Sequence, residues 1–189
     1  MYKRIIKYAL VLAVSSMLFA CLPNPQSVSE RRQEFARSGL QGALILPSLP
    51  SDAIVVGAVF GKRIKLEGYK LDPVQPKRGD RIKVTWYWSA VKPVNEDYQV
   101  FVHGDAKEGN ARRLHGDHFP ATGKYPTDVW MPGEIVVDEF SLSVSKDYGA
   151  KKLAIYTGLY KGNYRLPLTS KGAKPGDKDN RSQPVEIRF

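Results

Sequence analysis

Between Arg81 and Ser89 the chain reads Arg-Ile-Lys-Val-Thr-Trp-Tyr-Trp-Ser, with a large apolar residue at every second position. Side chains alternate between two faces only in an extended strand, so Ile82, Val84, Trp86 and Trp88 share one face. Arg81, Lys83, Thr85 and Tyr87 line the other. A helix would scatter the four apolar residues around its circumference. Two indoles on one strand face need a deep apolar layer opposite them, which points to a second sheet packed on the first.

Other segments repeat the pattern. Asp97–Gly104 puts Tyr98, Val100 and Val102 on one face, with Gln99, Phe101 and His103 on the other. Ile135–Val144 groups Val136, Asp138, Phe140, Leu142 and Val144. Lys152–Tyr160 sets Leu153, Ile155 and Leu159 against Tyr156 and Tyr160. Ile54–Phe60 and the closing residues Val185, Ile187 and Phe189 also read as strands. In Ile64–Leu71 the inward set begins with Ile64 and Leu66 and then switches to Tyr69 and Leu71. That phase change at Gly68 predicts a β-bulge. Turn residues such as Pro76–Asp80, Met131-Pro-Gly133 and Lys161-Gly-Asn163 separate the strands. The expectation is an all-β domain over residues 52–189, a two-sheet antiparallel β-sandwich of immunoglobulin-like or jelly-roll-like type. Ala106–Met131 and the polar, mobile stretch Thr169–Ser182 are its long loops, where function concentrates.

The first 51 residues differ in kind. Lys3, Arg4 and Lys7 precede the apolar run Ala9–Ala20, which is too short and too soon followed by Pro23 and Pro25 to span a bilayer. Leu18-Phe19-Ala20-Cys21 resembles the lipobox of bacterial lipoproteins, with Phe19 departing from the small or β-branched residue usual there. The resemblance implies removal of residues 1–20 as a signal peptide and acylation of Cys21, the only cysteine. A lone exported thiol has no disulfide partner, which fits its use as a lipid attachment point. Leu22 follows the cysteine where an aspartate is absent, and the resemblance then implies the outer membrane. Residues 21–51 read as a lipidated tether, bracketed by Pro23, Pro25, Pro47 and Pro50, with a short helix capped by Ser29.

Charge narrows the partners. The leader holds three of the 29 basic residues and none of the 19 acidic ones, leaving 26 against 19. Such an excess suits an anionic lipid, an acidic envelope polysaccharide or an acidic protein face. The cations are dispersed, with Arg31-Arg32 and Arg112-Arg113 the only adjacent arginines, so nucleic acid is not the expected partner.

A further resemblance covers roughly residues 57–168. Leu66–Leu71, Gly79–Trp88, Tyr98–His103, Asp117 with Pro120, Tyr125-Pro-Thr-Asp-Val-Trp130, Pro132-Gly-Glu134, Asp138, Gly158-Leu-Tyr160 and Arg165-Leu-Pro167 follow one another in order. Together they resemble extracytoplasmic sandwich domains appended to membrane glycosyltransferases of the dolichyl-phosphate-mannose type. The resemblance implies the sandwich fold; it carries no chemistry.

The candidate functional residues cluster. His103, His115 and His118 lie near Asp105, Asp117 and Asp138, and His115-Gly-Asp-His118 holds metal-ligating residue types. It lacks the helical spacing of a zincin, however, and Gly116 marks it as a loop, so solvated histidines without metal or cofactor are expected. Asp138 shares its strand face with Val136, Phe140 and Leu142, and a buried carboxylate must meet a partner. His103 or backbone N–H groups of residues 117–122 are the candidates, clipping the loop to the sandwich. Trp130 reads as a plug at the sandwich end, while Tyr125 and Tyr164 suit either a plug or stacking on sugars. No Gly-x-Ser-x-Gly elbow or phosphate-cradling loop occurs.

The reading is therefore a non-enzymatic envelope lipoprotein, held in the membrane by Cys21, that binds an envelope polysaccharide or partner protein. Its candidate binding residues are His103, Asp117, Tyr125, Trp130, Asp138 and Tyr164. Two alternatives stand beside it: a metal-dependent envelope hydrolase using His103, His115, Asp117 and His118, or a structural subunit of a secretion or motility assembly.

Overall fold

The structure is a computed structural model that describes residues 26–189; the leader, the lipobox and Cys21 lie outside the described residues. Its elements are α1 (Val28–Glu34), β1 (Ile45–Leu46), β2 (Ile54–Phe60), β3 (Ile64–Asp72), β4 (Arg81–Ala90), β5 (Gln99–Gly109), β6 (Leu114–His115), β7 (Ile135–Ser143), β8 (Ala150–Lys161), β9 (Tyr164–Arg165), β10 (Leu168–Ser170) and β11 (Ser182–Arg188). The strands form two sheets with antiparallel ladders, one ordered β1-β7-β4-β3-β2-β10 and the other β11-β8-β5-β6. β9 pairs with the end of β8. The chain is an all-β sandwich, as its alternation predicts. Among the described residues no helix is long and apolar enough to cross a membrane.

The interior is the layer that the two indoles require. Ile82, Val84, Trp86 and Trp88 of β4 are fully buried, and so are Val100 and Val102 of β5 and Leu153, Ile155 and Leu159 of β8. Trp88 meets Phe60 with ring centroids 6.1 Å apart, and Trp86 meets Phe140 at 5.6 Å. The opposite face of β4 is more covered than a half-exposed strand would be, since Tyr87 is only 5 % exposed. Neighbouring side chains roof it: Thr85 donates to Glu139 and Ser89 donates to Glu67.

The register of β3 slips between Leu66 and Gly68, so the phase change in the sequence is a bulge. A Cβ on Gly68 would stand 2.7 Å from the Ile54 carbonyl oxygen, so only glycine lets β2 approach there.

Two expectations about the chain's extensions change. The segment taken as a tether up to residue 51 is packed onto the sandwich from α1 onward. Its helix is capped by Ser27, not Ser29, through a capping box with Glu30. The buried Arg32 donates through Nε to the Asp128 carbonyl (3.0 Å) and through Nη2 to the Val94 carbonyl. Ile45 is buried as β1 pairs with the edge of β7. Arginine hydrogen bonds to carbonyls left free by loops hold this segment, a device that apolar counting overlooks. Residues 169–182 are likewise tied down: Ala173 N–H donates to Val56 O at 2.8 Å. Gly172, at φ 65°, lies so close to Val56 and Gly57 that no side chain fits.

Candidate functional site

Asp138 lies on β7 directly across from Trp86 and is fully buried. Its carboxylate is met from three sides. The Ala121 N–H donates to Oδ1 at 3.0 Å, Trp88 Nε1 donates to Oδ2 at 3.2 Å, and His118 Nε2 stands 3.0 Å from both oxygens. His118 Nδ1 is 2.6 Å from the Gly116 carbonyl oxygen. A carbonyl and a carboxylate only accept, so both ring nitrogens carry protons and His118 is an imidazolium. Burial by itself would lower the His118 pKa, but the Asp138 hydrogen bond and charge outweigh it and the net shift is upward. The ring stacks on Phe140 at 5.2 Å. Ala121 and Thr122 both adopt left-handed backbone, at φ 50° and 55°, which turns the Ala121 N–H toward the carboxylate.

Asp138 therefore clips the loop to the sheet, with backbone of residue 121 among its donors as expected. The histidine partner differs: it is His118, not His103. His103 lies on β5 of the other sheet with its side chain on the outer face, so it never approaches β7. As a residue wholly inside the sandwich, Asp138 presents nothing to a ligand.

Tyr125 and Trp130, also candidate binding residues, are both fully buried and form the plug. Trp130 Nε1 donates to the Tyr125 carbonyl at 2.8 Å. The Tyr125 hydroxyl accepts from Arg37 Nε at 3.1 Å and donates to the Glu134 carboxylate. Phe35 packs on the Tyr125 ring at 5.4 Å. Burial first, and the Glu134 carboxylate second, push this phenol's pKa far up. The covering comes from Phe35 and Arg37, within the segment read as a tether. That is why the ring is not free to stack on a sugar.

The remaining candidates meet on the outer face of the smaller sheet. Phe101 and His103 alternate outward along β5, opposite Gly158 and Tyr156 of β8, and His103 is also paired with His115 of β6. After His115, Gly116 turns inward, where a Cβ would crowd Phe140, Leu142 and Val102. Asp117 returns to the outer face, and His118 goes in again to Asp138. His115-Gly-Asp-His118 is thus an extension of an edge strand rather than a free loop, with Val100 and His118 exchanging backbone hydrogen bonds at 2.9 Å. This alternation splits the four residues of the hydrolase alternative: His103, His115 and Asp117 stand together and His118 faces the other way.

A cleft of about 230 Å³ opens there, lined by Phe101, His103, Asp117, Tyr160, Asn163 and Arg165. The Arg165 guanidinium lies 4.6 Å from the centre of the Phe101 ring, and its Nη1 donates to the Asp179 carbonyl at 3.2 Å. Tyr160 donates its hydroxyl to Gln99 at 2.5 Å. His103 is 8 % exposed and burial lowers its pKa, opposed by Asp117, so the ring is kept neutral. Beyond the rim, Tyr164 is 56 % exposed and belongs to a neighbouring hollow with Tyr98, Glu96 and Lys161. Along the same face Arg181 covers Tyr156 at 4.2 Å and bridges Asp177 and Asp105.

A larger hollow of about 500 Å³ lies on the outer face of the other sheet, above Tyr87 and Val74. Its charged rim is already satisfied internally, Lys70 by Asp52 and Lys83 by Glu139. The smaller cleft keeps a fixed guanidinium, an amide, a carboxylate and the His103 imidazole around one space, and it is the stronger site. Sequence reasoning found His103 and Asp117 there but missed Arg165 and Asn163. The outward phase of Tyr160 in Lys152–Tyr160 was the available signal; Arg165 belongs to the Arg165-Leu-Pro167 motif of the resemblance, which gave it no role. Comparisons with protein families, with curated proteins and with solved structures find no match to this chain.

Proposed function

We propose that this chain is a lipid-anchored protein of the bacterial cell envelope whose sandwich is a non-catalytic binding module for an acidic envelope polysaccharide. The lipobox-like Leu18–Cys21 supports the anchor, and the excess of basic residues supports an anionic ligand. One observation carries the choice of site. Arg165 is held between the Phe101 ring and the Asp179 carbonyl at the mouth of a polar cleft. A guanidinium fixed in this way loses little freedom when its planar donors meet a carboxylate or phosphate on a sugar. The Asn163 amide and the rim of Tyr160 add a hydrogen-bonding group and an apolar edge, the mixture that a sugar ring presents in return.

The test is binding of the purified chain to uronate-bearing, phosphate-bearing and neutral polysaccharides. Acidic polymers should bind, and Arg165→Ala should weaken them about tenfold or more, the effect of losing a hydrogen bond to a charged group. Equal affinity of wild type and Arg165→Ala, or preference for neutral polymers, would reject the reading. For the anchor, Cys21→Ser should abolish fatty-acid incorporation; undiminished labelling of the serine variant would reject it.

A further inference from the structure

We infer that His103, His115 and Asp117 form a binding site for one divalent transition-metal ion of the zinc class on the outer face of the smaller sheet. Each side chain offers one ligand atom, and the three atoms lie within 4.8 Å of one another. Ligand atoms about 2.0–2.2 Å from a shared ion stand roughly 3–4 Å apart, so small side-chain rotations complete the set.

The grouping follows from strand geometry. His103 and His115 are directly opposed on adjacent strands, the arrangement that brings side chains closest in an antiparallel pair. Their rings meet edge to face at 5.4 Å. Gly116 takes the inward position, so the pleat returns Asp117 to the side of the two imidazoles. Ligands mounted on a sheet are more rigid than the loop that the sequence suggested.

Two further observations point to a missing partner. His103 is 92 % buried by its 8 % exposure, its ring backed by Phe101 at 5.2 Å, yet its Nδ1 has no hydrogen-bond partner. A buried polar nitrogen left unmet is costly, and a cation in the cluster gives this imidazole a partner. Asp117 is already aimed: its Oδ1 accepts the Val102 N–H at 2.9 Å. A backbone donor that orients a carboxylate, with the second oxygen left for another partner, is the outer-shell arrangement of metal sites.

Two imidazoles and one carboxylate suit zinc, cobalt or iron(II) and not calcium or magnesium, which demand oxygen ligands. Two cations face the cluster, and both have other commitments. Arg113 pairs with Asp105 at 2.5 Å, and Arg165 lies against Phe101. Three protein ligands leave the ion an open position toward the cleft.

The experiment titrates the purified chain, carrying no histidine tag, with Zn²⁺ by calorimetry and with Co²⁺ by visible absorption. One equivalent should bind, with the visible bands of low-coordinate Co²⁺, and Zn²⁺ should raise the melting temperature. His115→Ala, at an exposed position, and Asp117→Asn, which keeps an acceptor for Val102, should each weaken binding by at least about tenfold while remaining folded. Absence of stoichiometric Zn²⁺ and Co²⁺ binding to the wild type overturns the site, as does binding unchanged in both variants. No polysaccharide is present in these titrations, so this inference and the polysaccharide reading fail separately.

Discussion

His118 Nε2 stands 3.0 Å from both carboxylate oxygens of Asp138, joining the edge of one sheet to the buried face of the other. An ion pair enclosed in this way is costly to form and more costly to break on one side.

Replacing Asp138 tests that relationship. In Asp138→Asn three donors converge on a group with a single acceptor oxygen and an N–H₂ that repels them. The domain should lose about 3 kcal/mol, the lower end for breaking a buried pair. Residues 117–123 should become more sensitive to protease, while Zn²⁺ still binds the folded fraction. Chemical denaturation of wild type and variant reads the first effect, and limited proteolysis reads the second. An unchanged midpoint would mean that the carboxylate does not hold the loop.

The segment 26–46 should act as part of the domain. A chain that begins at residue 47 loses β1, the two Arg32 contacts and the Phe35 cover of Tyr125. Its melting temperature should fall by about 10 °C or more. Arg37→Ala alone should cost about 2 kcal/mol, because Arg37 donates to Tyr125 and to the Arg32, Phe35 and Val129 carbonyls. Equal melting of the long and short chains would return this segment to the role of a tether.

Tyr125 links stability to alkaline pH. Its folded pKa lies above the ordinary value of 10, so the unfolded chain loses this proton first as pH rises. The stabilisation tied to the protonated phenol is complete below pH 10 and declines as pH rises beyond it. Wild-type stability should therefore fall more steeply above pH 10 than that of Tyr125→Phe, as measured by denaturant titrations across that range.

The two faces of β4 should respond unequally. Trp86 is fully buried between the sheets, and Trp86→Ala should cost about 3–5 kcal/mol. Tyr87 lies on the outer face beside an open hollow lined by Lys70, Lys83 and Glu139, with no second sheet packed on it, so Tyr87→Ala should cost less. Equal losses in denaturant titrations would show that the outer roof is as rigid as the core.

Strand positions and their inward faces were legible in the sequence because alternation is a local property. Ile82 through Trp88, the glycine bulge at residue 68 and the inward Asp138 all follow from counting by twos. The presence of a loop clip was legible for the same reason, since a carboxylate among Val136, Phe140 and Leu142 needs donors wherever the chain goes. Which donors arrive was decided in three dimensions. Alternation already set His103 on the strand face away from Val100 and Val102, but only the pairing of β6 and His118 with β5 turns His118 inward to Asp138. Tyr125 was ambiguous on the same grounds, because its burial depends on Phe35 and Arg37 arriving from about ninety residues away, whereas Trp130 already read as a plug. The cleft is of this kind too: Arg165 reaches Phe101 through the β8–β9 hairpin, a contact that no local pattern encodes. Periodicity settles which side of a strand a residue occupies; the pairing of distant strands settles what it meets there.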